Sequence, residues 1–323
     1  VTLVGSYMAY NGGISIGTLF VFFTYVNNLV WPLRQLGRIL SNMGRMDVAL
    51  NRINEILFTP LEEMDENAIK PELKGDIVFD NVSFSYEKDK PVLNNISFTV
   101  KSGEKIAVLG STGSGKSSLM HLFLRLYDYK HGSIKINGNE LKTIDKNYLR
   151  ERIGIVLQEP FLYSKTIIEN IKMAKDTVTD DEVYDAAKIA NVHDVITGFK
   201  EGYDTVVGER GVTLSGGQKQ RVAITRTLVK NSDILIFDDS LSAVDTETDA
   251  LIQAELKKRS EGVTTFIISQ RINTLMSADR IFVMEGGEIT DMGTHDELIA
   301  RDGLYYRVWN IQNTLEEEFE KEA

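Results

Sequence analysis

The sequence Gly110-Ser111-Thr112-Gly113-Ser114-Gly115-Lys116-Ser117 decides the fold of most of this 323-residue chain. It fully matches the pattern G-x(4)-G-K-[ST], and it follows a short apolar run, Ile106–Leu109, that is typical of a buried parallel strand. Glycines let backbone N–H groups curve around phosphate oxygens, and the helix expected over Ser117–Leu126 directs its positive end at the same place. The sequence therefore predicts a phosphate-binding loop between a strand and a helix.

Individual residues of this loop have separate expected roles. The Lys116 ammonium is expected to reach the β- and γ-phosphates of a nucleotide, and the Ser117 hydroxyl to hold Mg²⁺. The other expected nucleotide contacts lie around these two residues: Ser111, Thr112, Gly113, Ser114, Gly115 and Ser118.

A second apolar run, Ile234–Phe237, ends in Asp238-Asp239. A carboxylate at the end of a parallel strand beside a phosphate-binding loop holds Mg²⁺ through water in this class of site, so we assign Asp238 to the metal. Alone, an apolar run that ends in Asp is weak evidence, because many strands end at an acidic turn. The combination with the glycine loop favours the metal role.

Between these two runs lies Leu214-Ser215-Gly216-Gly217-Gln218, followed by a helical pattern at Val222–Val229. Ser215 and the two glycines at a helix start predict a second cluster of backbone amides that faces an anion. Taken alone, Ser-Gly-Gly is better explained as a helix N-cap with a flexible turn. Its place just before the second apolar run favours binding.

Composition limits the class of protein. The chain has 36 Lys+Arg against 47 Asp+Glu and a net charge of −11, which argues against a protein that binds nucleic acid through a basic surface. The absence of cysteine excludes a disulfide framework, a thiolate zinc site and a cysteine nucleophile. With 42% hydrophobic residues, the chain has enough apolar side chains for at least one large core.

The N-terminal region predicts a membrane span, because no charged residue occurs from Val1 to Leu33. Ile14–Leu33 reads ISIGTLFVFFTYVNNLVWPL, and roughly 20 residues at about 1.5 Å each cross a hydrocarbon core about 30 Å thick. Four arginines follow: Arg34, Arg38, Arg45 and Arg52. They place the C-terminal end of the span in the cytoplasm. A buried core helix and a secretory signal are the alternatives, but the span is long for a signal and has no basic segment before it.

The predicted domain organisation follows from these patterns. Residues 1–58 are expected to be the C-terminal part of a membrane domain: the end of one span at Val1–Tyr10, a full span, and a cytoplasmic helical extension to Phe58. This interpretation makes the chain a piece that starts midway through a membrane domain. Residues 59–74 predict an acidic linker, residues 75–313 a nucleotide-binding domain, and residues 314–323 an acidic tail.

From Lys74 to Gln312, the sequence resembles the ATP-binding cassette (ABC) family, and Leu214–Gln218 matches the family's signature without a mismatch. The whole chain resembles the last membrane span and the nucleotide-binding domain of an ABC exporter half-transporter. Ile14–Leu33, the Arg52-Ile53 helix exit and Val207–Gly211 fit exporters rather than importers.

The resemblance implies a fold, cofactors and partners. The fold is an α/β P-loop NTPase core with a β-subdomain and a helical subdomain around Thr166–Leu228, and the cofactors are ATP and Mg²⁺. Two such domains pair head to tail, so that each ATP lies between one chain's phosphate-binding loop and the other chain's Ser215–Gln218 segment. The implied partners are a second ABC half-transporter, the lipid membrane and a transported small molecule, drug, lipid or peptide, with no nucleic acid. The full-length protein is expected to be a multi-pass protein of the cell membrane with a cytoplasmic nucleotide-binding domain.

The resemblance also implies roles for three further segments. Tyr86 would stack on adenine, the alternative being an ordinary strand tyrosine. Gln158, after Ile153–Leu157, would reach Mg²⁺ and sense the membrane domain. The segment Ser242-Ala243-Val244-Asp245 would communicate across the dimer.

Two positions depart from the family pattern. The usual catalytic base is a Glu directly after the strand-end Asp, and here that position is Asp239, which is one methylene shorter. A base must lie within about 2.6–3.2 Å of the attacking water, directly or through one water, so this retraction matters. The family's switch histidine is here Gln270, which can hydrogen-bond a γ-phosphate but cannot carry a proton as imidazole can.

These departures define the hypotheses. Together they resemble the degenerate half of a heterodimeric ABC exporter, which binds ATP at Lys116 with little hydrolysis and supplies its intact signature to the partner's site. The alternatives are a homodimeric exporter with Asp239 as a slower base, a nucleotide-sensing regulatory subunit, and a soluble ABC ATPase that acts on ribosomes or DNA. The transported substrate is not specified, because that specificity lies mainly in membrane helices outside this sequence.

Overall fold

The computed structural model describes residues 2–62, 65–87, 90–175, 177–208, 214–241, 244, 246–259 and 262–322. The chain divides into two compact units, residues 1–63 and residues 64–323, within the predicted acidic linker. Past this division, the Ile69 N–H donates to the Thr143 carbonyl at 2.9 Å and Leu73 is buried. The C-terminal part of the predicted linker therefore packs within the second unit.

The described part of the first unit contains two helices, α1 (Thr2–Tyr10) and α2 (Ile16–Leu57). Ser15 caps α2, because its hydroxyl accepts a hydrogen bond from the Thr18 N–H at 3.0 Å. The helix continues for 42 residues, so the predicted extension to Phe58 agrees with the structure to within one residue. By its length and apolar composition α2 is a candidate membrane span, and none of its residues is buried.

Antiparallel strands form the β-subdomain of the second unit. The strands are β1 (Ile77–Phe84), β2 (Leu93–Val100), β4 (His131–Ile136) and β5 (Asn139–Glu140). Their order across the sheet is β2-β1-β4-β5. The buried positions of β1 and β2 are apolar, and more exposed, mostly polar residues lie between them, as expected of strands that pack one face on a core.

A second, mixed sheet forms the centre of the α/β core. Its strands are β3 (Lys105–Gly110), β6 (Ile153–Val156), β7 (Ile234–Asp238), β8 (Thr264–Ile268), β9 (Arg280–Glu285) and β10 (Glu288–Gly293). Their order is β10-β9-β3-β8-β7-β6, and neighbouring strands are parallel except for β9 and β10. Every residue of β7 and β8 is buried, because both faces of the sheet are covered. The carboxyl ends of β3, β8, β7 and β6 meet at one edge.

Helices cover both faces of the mixed sheet. Those of the second unit are α3 (Lys116–Phe123), α4 (Lys146–Arg152), α5 (Ile167–Lys172), α6 (Asp180–Ile189), α7 (His193–Thr197), α8 (Gly216–Leu228), α9 (Thr246–Arg259), α10 (Ile272–Leu275), α11 (His295–Ile299) and α12 (Leu304–Glu322). Helices α5 to α8 form a helical subdomain within the segment that the family resemblance predicts. The predicted combination of α/β core, β-subdomain and helical subdomain is confirmed.

Three apolar cores among the described residues hold these layers together. The first packs the β-subdomain and α3 on the mixed sheet, and the Phe123 ring centroid lies 6.0 Å from that of Phe79 and 5.8 Å from that of Phe266. The second lies within the helical subdomain and on the mixed sheet beside it. The third packs α10, α11 and α12 on β3 and β9, with Tyr305 fully buried.

Helix α3 is shorter than the sequence predicts. It spans Lys116–Phe123 rather than Ser117–Leu126, so the predicted C-terminal boundary is wrong by three residues. The chain leaves the helix at Arg125, whose φ of 50° does not fit a continuing right-handed helix. The Arg125 guanidinium donates to the Ile144 carbonyl, which holds this turn on the β-subdomain side of the unit.

Candidate nucleotide-binding site

The phosphate-binding loop connects β3 to α3 and has a backbone that requires glycine. Gly113 and Gly115 have φ values of 83° and 98°, in the left-handed region that favours glycine. A Cβ at Gly110 would lie 2.4 Å from the Met284 carbonyl oxygen, so the loop start also excludes a side chain. A Cβ at Gly113 would meet nothing within 4 Å, which indicates that the loop faces open space. A chain of phosphates fits this space.

Lys116 lies inside the curve of the loop. Its ammonium donates to the carbonyls of Gly110 at 2.7 Å and Ser111 at 2.8 Å. Burial lowers the pKa of Lys116, while the nearby carboxylates of Asp238 and Asp239 act in the opposite direction. The loop therefore presents a half-buried cation between main-chain oxygens and two acidic side chains.

The acidic pair lies at the carboxyl end of β7. Asp238 is the last residue of the strand and is buried. Asp239 follows with a left-handed φ of 46°, and its N–H donates to the Ile268 carbonyl at 2.9 Å. The Gln158 amide donates to Asp239 Oδ2 at 3.3 Å. The structure thus brings together the Gln158 segment, which follows β6, and the acidic pair.

Gln270 follows β8 at the same edge of the sheet, and its side chain is exposed. The Ser269 hydroxyl accepts the Arg271 N–H at 3.0 Å, and the Arg271 guanidinium donates to the Val244 carbonyl at 2.9 Å. Of the predicted Ser242–Asp245 segment, only Val244 is described, and Ser242, Ala243 and Asp245 lie outside the described residues. The Glu209–Gly211 part of the Val207–Gly211 motif also lies outside them.

Tyr86 follows β1 and lies against the first turn of α3. Its hydroxyl is 3.0 Å from the Ser118 hydroxyl, and about half of the side chain is exposed. The rings of Phe84 and Tyr127 pack edge-on to it, with centroid distances of 4.8 and 4.9 Å. The predicted adenine-stacking residue therefore lies next to the phosphate-binding loop, and it is supported by Tyr127, which the sequence motifs did not single out.

Ser215 to Gln218 form the start of α8. The Ser215 hydroxyl accepts the Gln218 N–H at 3.3 Å, and the Gln218 side chain accepts the Ser215 N–H at 2.9 Å, so both residues form a capping box. Gly216 is exposed and, with Gln158 and neighbouring residues, lines a cavity of about 520 Å³. Ser215 is thus the N-cap of α8, as the alternative explanation of this motif expects. Because Gly216 is exposed, the start of α8 is also accessible to a second molecule.

The arrangement fits Mg²⁺ bound together with phosphates. Within the described parts of the chain, no group of three or more His, Asp or Glu side chains is placed to hold a metal by itself. Ser117 is exposed in the first turn of α3, directly after Lys116, whose ammonium interacts with the carboxylates of the acidic pair. A hydroxyl and a strand-end carboxylate suit a magnesium ion whose other ligands are phosphate oxygens and water.

One residue that contacts the main chain near Gln270 belongs to no sequence motif. Gln312, in α12, makes hydrogen bonds to the main chain on both sides of Arg271. Helical spacing places Gln312 on the same face as buried Tyr305, which indicates a packed position but not its partner.

Comparisons with known proteins agree with the geometry of this site. A family model described as ABC transporter matches residues 93–242. The ATP-binding/permease protein YgaD of Bacillus subtilis (strain 168) is 41% identical over 310 residues, which cover 95% of this chain and 53% of YgaD. The alpha-hemolysin translocation ATP-binding protein HlyB of Escherichia coli is 40% identical over 312 residues, which cover 96% of this chain and 44% of HlyB. The chain spans about half the length of these curated relatives.

A solved structure extends the agreement to the fold. A bacterial Atm1-family ABC exporter with ATP bound superposes with a TM-score of 0.78 at 36% identity, over 95% of this chain and 55% of that one. The match includes both the ABC ATPase fold and the region of the long apolar helix. Residues 93–242 therefore form an ABC transporter domain, and over about 95% of its length the chain is similar to ATP-binding/permease proteins and to an ABC exporter.

Proposed function

We propose that this chain is part of the ATP-binding/permease subunit of an ABC exporter. ATP binds at the Gly110–Ser118 loop, with Lys116 at the β- and γ-phosphates and Tyr86 at the adenine. Ser117, Asp238 and Gln158 would hold Mg²⁺, which supplies charge neutralisation at the phosphates. The glycine-dependent loop that curves around the Lys116 ammonium is the observation that carries this proposal.

In the proposed organisation, residues 1–58 belong to the membrane domain, residues 59–74 link it to the nucleotide-binding domain of residues 75–313, and residues 314–323 form an acidic tail. The apolar composition of α2 and the names of the relatives support a multi-pass membrane protein. ATP binding and hydrolysis would drive export of a small molecule, drug, lipid or peptide. A soluble ABC ATPase that acts on ribosomes or DNA is disfavoured by the same two observations.

We further propose that the chain is the degenerate half of a heterodimer. The Asp239 carboxylate is one C–C bond, about 1.5 Å, shorter in reach than Glu, and it is already in contact with Gln158. A base displaced by this distance no longer reaches a water that Glu would contact at about 2.6–3.2 Å. With Gln270 in the switch position, the chain's own site would bind ATP but hydrolyse it slowly.

The accessible start of α8 supports a second role for this chain, at the ATP site of its partner. Ser215, Gly216, Gly217 and Gln218 would complete the ATP site of a different partner chain, in the head-to-tail dimer. The partner's own Glu and His would then perform the productive hydrolysis. This chain would contribute binding energy and geometry rather than the base.

A homodimeric exporter is the second candidate. Its supporting observation is that Asp239 keeps a carboxylate at the correct strand end, oriented by the Gln158 amide. In that case Asp239 is a working base, with water bridging the gap left by the missing methylene.

ATP binding and steady-state ATP hydrolysis, measured on the chain alone and with candidate partner half-transporters, test the proposal. We expect nucleotide binding with negligible turnover alone, turnover on addition of a partner whose own Glu is required, and a gain of turnover in Asp239→Glu/Gln270→His. Fast hydrolysis by the chain alone that is abolished by Asp239→Asn would instead establish the homodimer. If no nucleotide binds, the proposed site itself is wrong.

A further inference from the structure

The C-terminal helix α12 is fixed to the body of the second unit along one face. Tyr305, Val308 and Gln312 are spaced at i, i+3 and i+7 and therefore lie on the same side of the helix. Tyr305 is 1% exposed, and Val308 packs on the third apolar core. The Tyr305 hydroxyl is 2.8 Å from His295 Nδ1, and burial raises the pKa of this phenol to about 12. The position of Gln312, two turns further along, follows from this anchoring.

The amide oxygen and the amide nitrogen of the Gln312 side chain both hydrogen-bond to the main chain of residues 270–272, called here the switch segment. Its Oε1 accepts the Ile272 N–H at 2.9 Å, and its Nε2 donates to the Gln270 carbonyl at 2.8 Å. The two bonds lie on either side of Arg271. A planar amide that uses its acceptor and a donor in this way fixes both the position and the orientation of the segment.

Two side-chain contacts of Ser269 and Arg271 hold other atoms of the segment around Gln270. The Ser269 hydroxyl accepts the Arg271 N–H, and the Arg271 guanidinium reaches the Val244 carbonyl. Neither contact involves the Gln270 peptide oxygen, which accepts the hydrogen bond from Gln312 Nε2. The Gln270 side chain stays exposed at the sheet edge where the phosphate-binding loop also lies.

We propose that Gln312 is a positioning residue for the nucleotide site. It holds the Gln270 main chain so that the Gln270 amide is directed at the terminal phosphate, and the C-terminal helix thereby determines how well the site distinguishes a nucleoside triphosphate from a diphosphate. This inference rests on the proposed γ-phosphate role of Gln270. It assigns to α12 a part in nucleotide recognition, although no residue of α12 is expected to touch the nucleotide.

The test compares dissociation constants for MgATP and MgADP, measured by calorimetry on the full chain in detergent. Gln312→Met keeps the side-chain length but removes both hydrogen bonds, and Gln312→Glu keeps the acceptor for the Ile272 N–H while removing the donor. Asn310→Ala, at an exposed position of the same helix, is the matched control. We call the two Gln312 hydrogen bonds, to the Ile272 N–H and the Gln270 carbonyl, the clamp. Hydrogen exchange of the Ile272 amide reports directly on whether the clamp is open.

We expect Gln312→Met to reduce the preference for MgATP over MgADP roughly tenfold, the value of one hydrogen bond to a charged oxygen, with MgADP affinity within twofold of wild type. Gln312→Glu should fall between Gln312→Met and wild type, and Asn310→Ala should match wild type. Ile272 should exchange faster in Gln312→Met.

Four outcomes overturn the inference. Faster exchange of Ile272 with an unchanged ATP/ADP preference shows that the clamp does not serve recognition. An equal loss of both nucleotides shows a general structural role. A Gln270→Ala variant separates the γ-phosphate role of Gln270 from the positioning role of Gln312. If Gln270→Ala leaves the preference for MgATP over MgADP unchanged, the γ-phosphate role of Gln270 is wrong and the inference about Gln312 is wrong with it. If Gln270→Ala lowers the preference and Gln312→Met does not, the inference alone is wrong.

Discussion

Lys116→Met is expected to weaken MgATP binding by roughly 10- to 140-fold, a range that follows from its hydrogen bonds. The ammonium has three N–H donors, of which two are used on the Gly110 and Ser111 carbonyls at 2.7 and 2.8 Å. The third makes a long contact of 3.4 Å with the Ser114 hydroxyl, so one donor is available to a phosphate oxygen. A hydrogen bond to a charged group contributes about 1.5–3 kcal/mol, and about 1.4 kcal/mol is tenfold in affinity.

The measurement is calorimetric titration of the full chain in detergent with MgATP. Lys101→Met is the control, because it removes one positive charge from an exposed side chain that pairs with Asp76 at 2.6 Å. A loss below threefold for Lys116→Met, or an equal loss for Lys101→Met, would refute the reasoning.

The same substitution should change how stability depends on pH. Burial lowers the pKa of Lys116 below its ordinary value of 10.5, so the unfolded chain binds more protons than the folded chain between the lowered pKa and 10.5. Wild-type stability therefore gains a contribution as pH rises through this window, and below it the burial penalty is fully present. The Lys116→Met protein lacks this contribution. A difference in Tm between the two proteins that stays constant up to pH 10.5 would contradict the assignment.

Two further substitutions test the loop and the aromatic position. Gly110→Ala should lower stability by about 1–3 kcal/mol, because its Cβ would lie 2.4 Å from the Met284 carbonyl oxygen. Gly216→Ala, whose Cβ meets nothing within 4 Å, is the control, and equal Tm values for the two variants would contradict the geometry. Tyr86→Ala should weaken MgATP binding roughly tenfold, the contribution of one ring stacked on a base. Tyr86→Phe loses only the hydroxyl contact with Ser118 and should stay within threefold; equal losses for both variants would assign the effect to the hydroxyl instead.

The phosphate-binding loop was predictable because its requirements are local. The left-handed φ at Gly115 and the exclusion of a Cβ at Gly110 favour glycine at the two positions that the pattern G-x(4)-G-K-[ST] fixes as glycine, so the sequence pattern and the geometry carry the same information. The buried strands on either side of the site are also local signals, since their apolar runs are nearly uninterrupted. The α3 boundary was not predictable in this way, because Arg125 adopts a positive φ without a glycine or proline to mark it.

The contacts between distant segments of the chain could not be predicted from the sequence. Gln158 and Asp239 are 81 residues apart, and their contact depends on β6 and β7 being neighbours in the sheet, an order that apolar runs do not encode. Gln312 is 42 residues from Gln270, and its helical spacing indicates a packed face but not the main-chain groups it contacts. Family resemblance supplied the expected role of Gln158, and nothing comparable pointed to Gln312.

The unbroken length of α2 has a mechanical consequence. At about 1.5 Å per residue its 42 residues extend roughly 63 Å, about twice the thickness of a hydrocarbon core near 30 Å. If the apolar half spans the membrane, the other half is a lever arm of roughly 33 Å, and a tilt of about 10° moves its tip by about 6 Å. Pro32 lies near the end of the apolar half and lacks the N–H that would bond the Asn28 carbonyl, so it is the point at which α2 bends most easily. The stiffness of the helix on either side of Pro32 then determines how much of a movement in the membrane reaches Leu57.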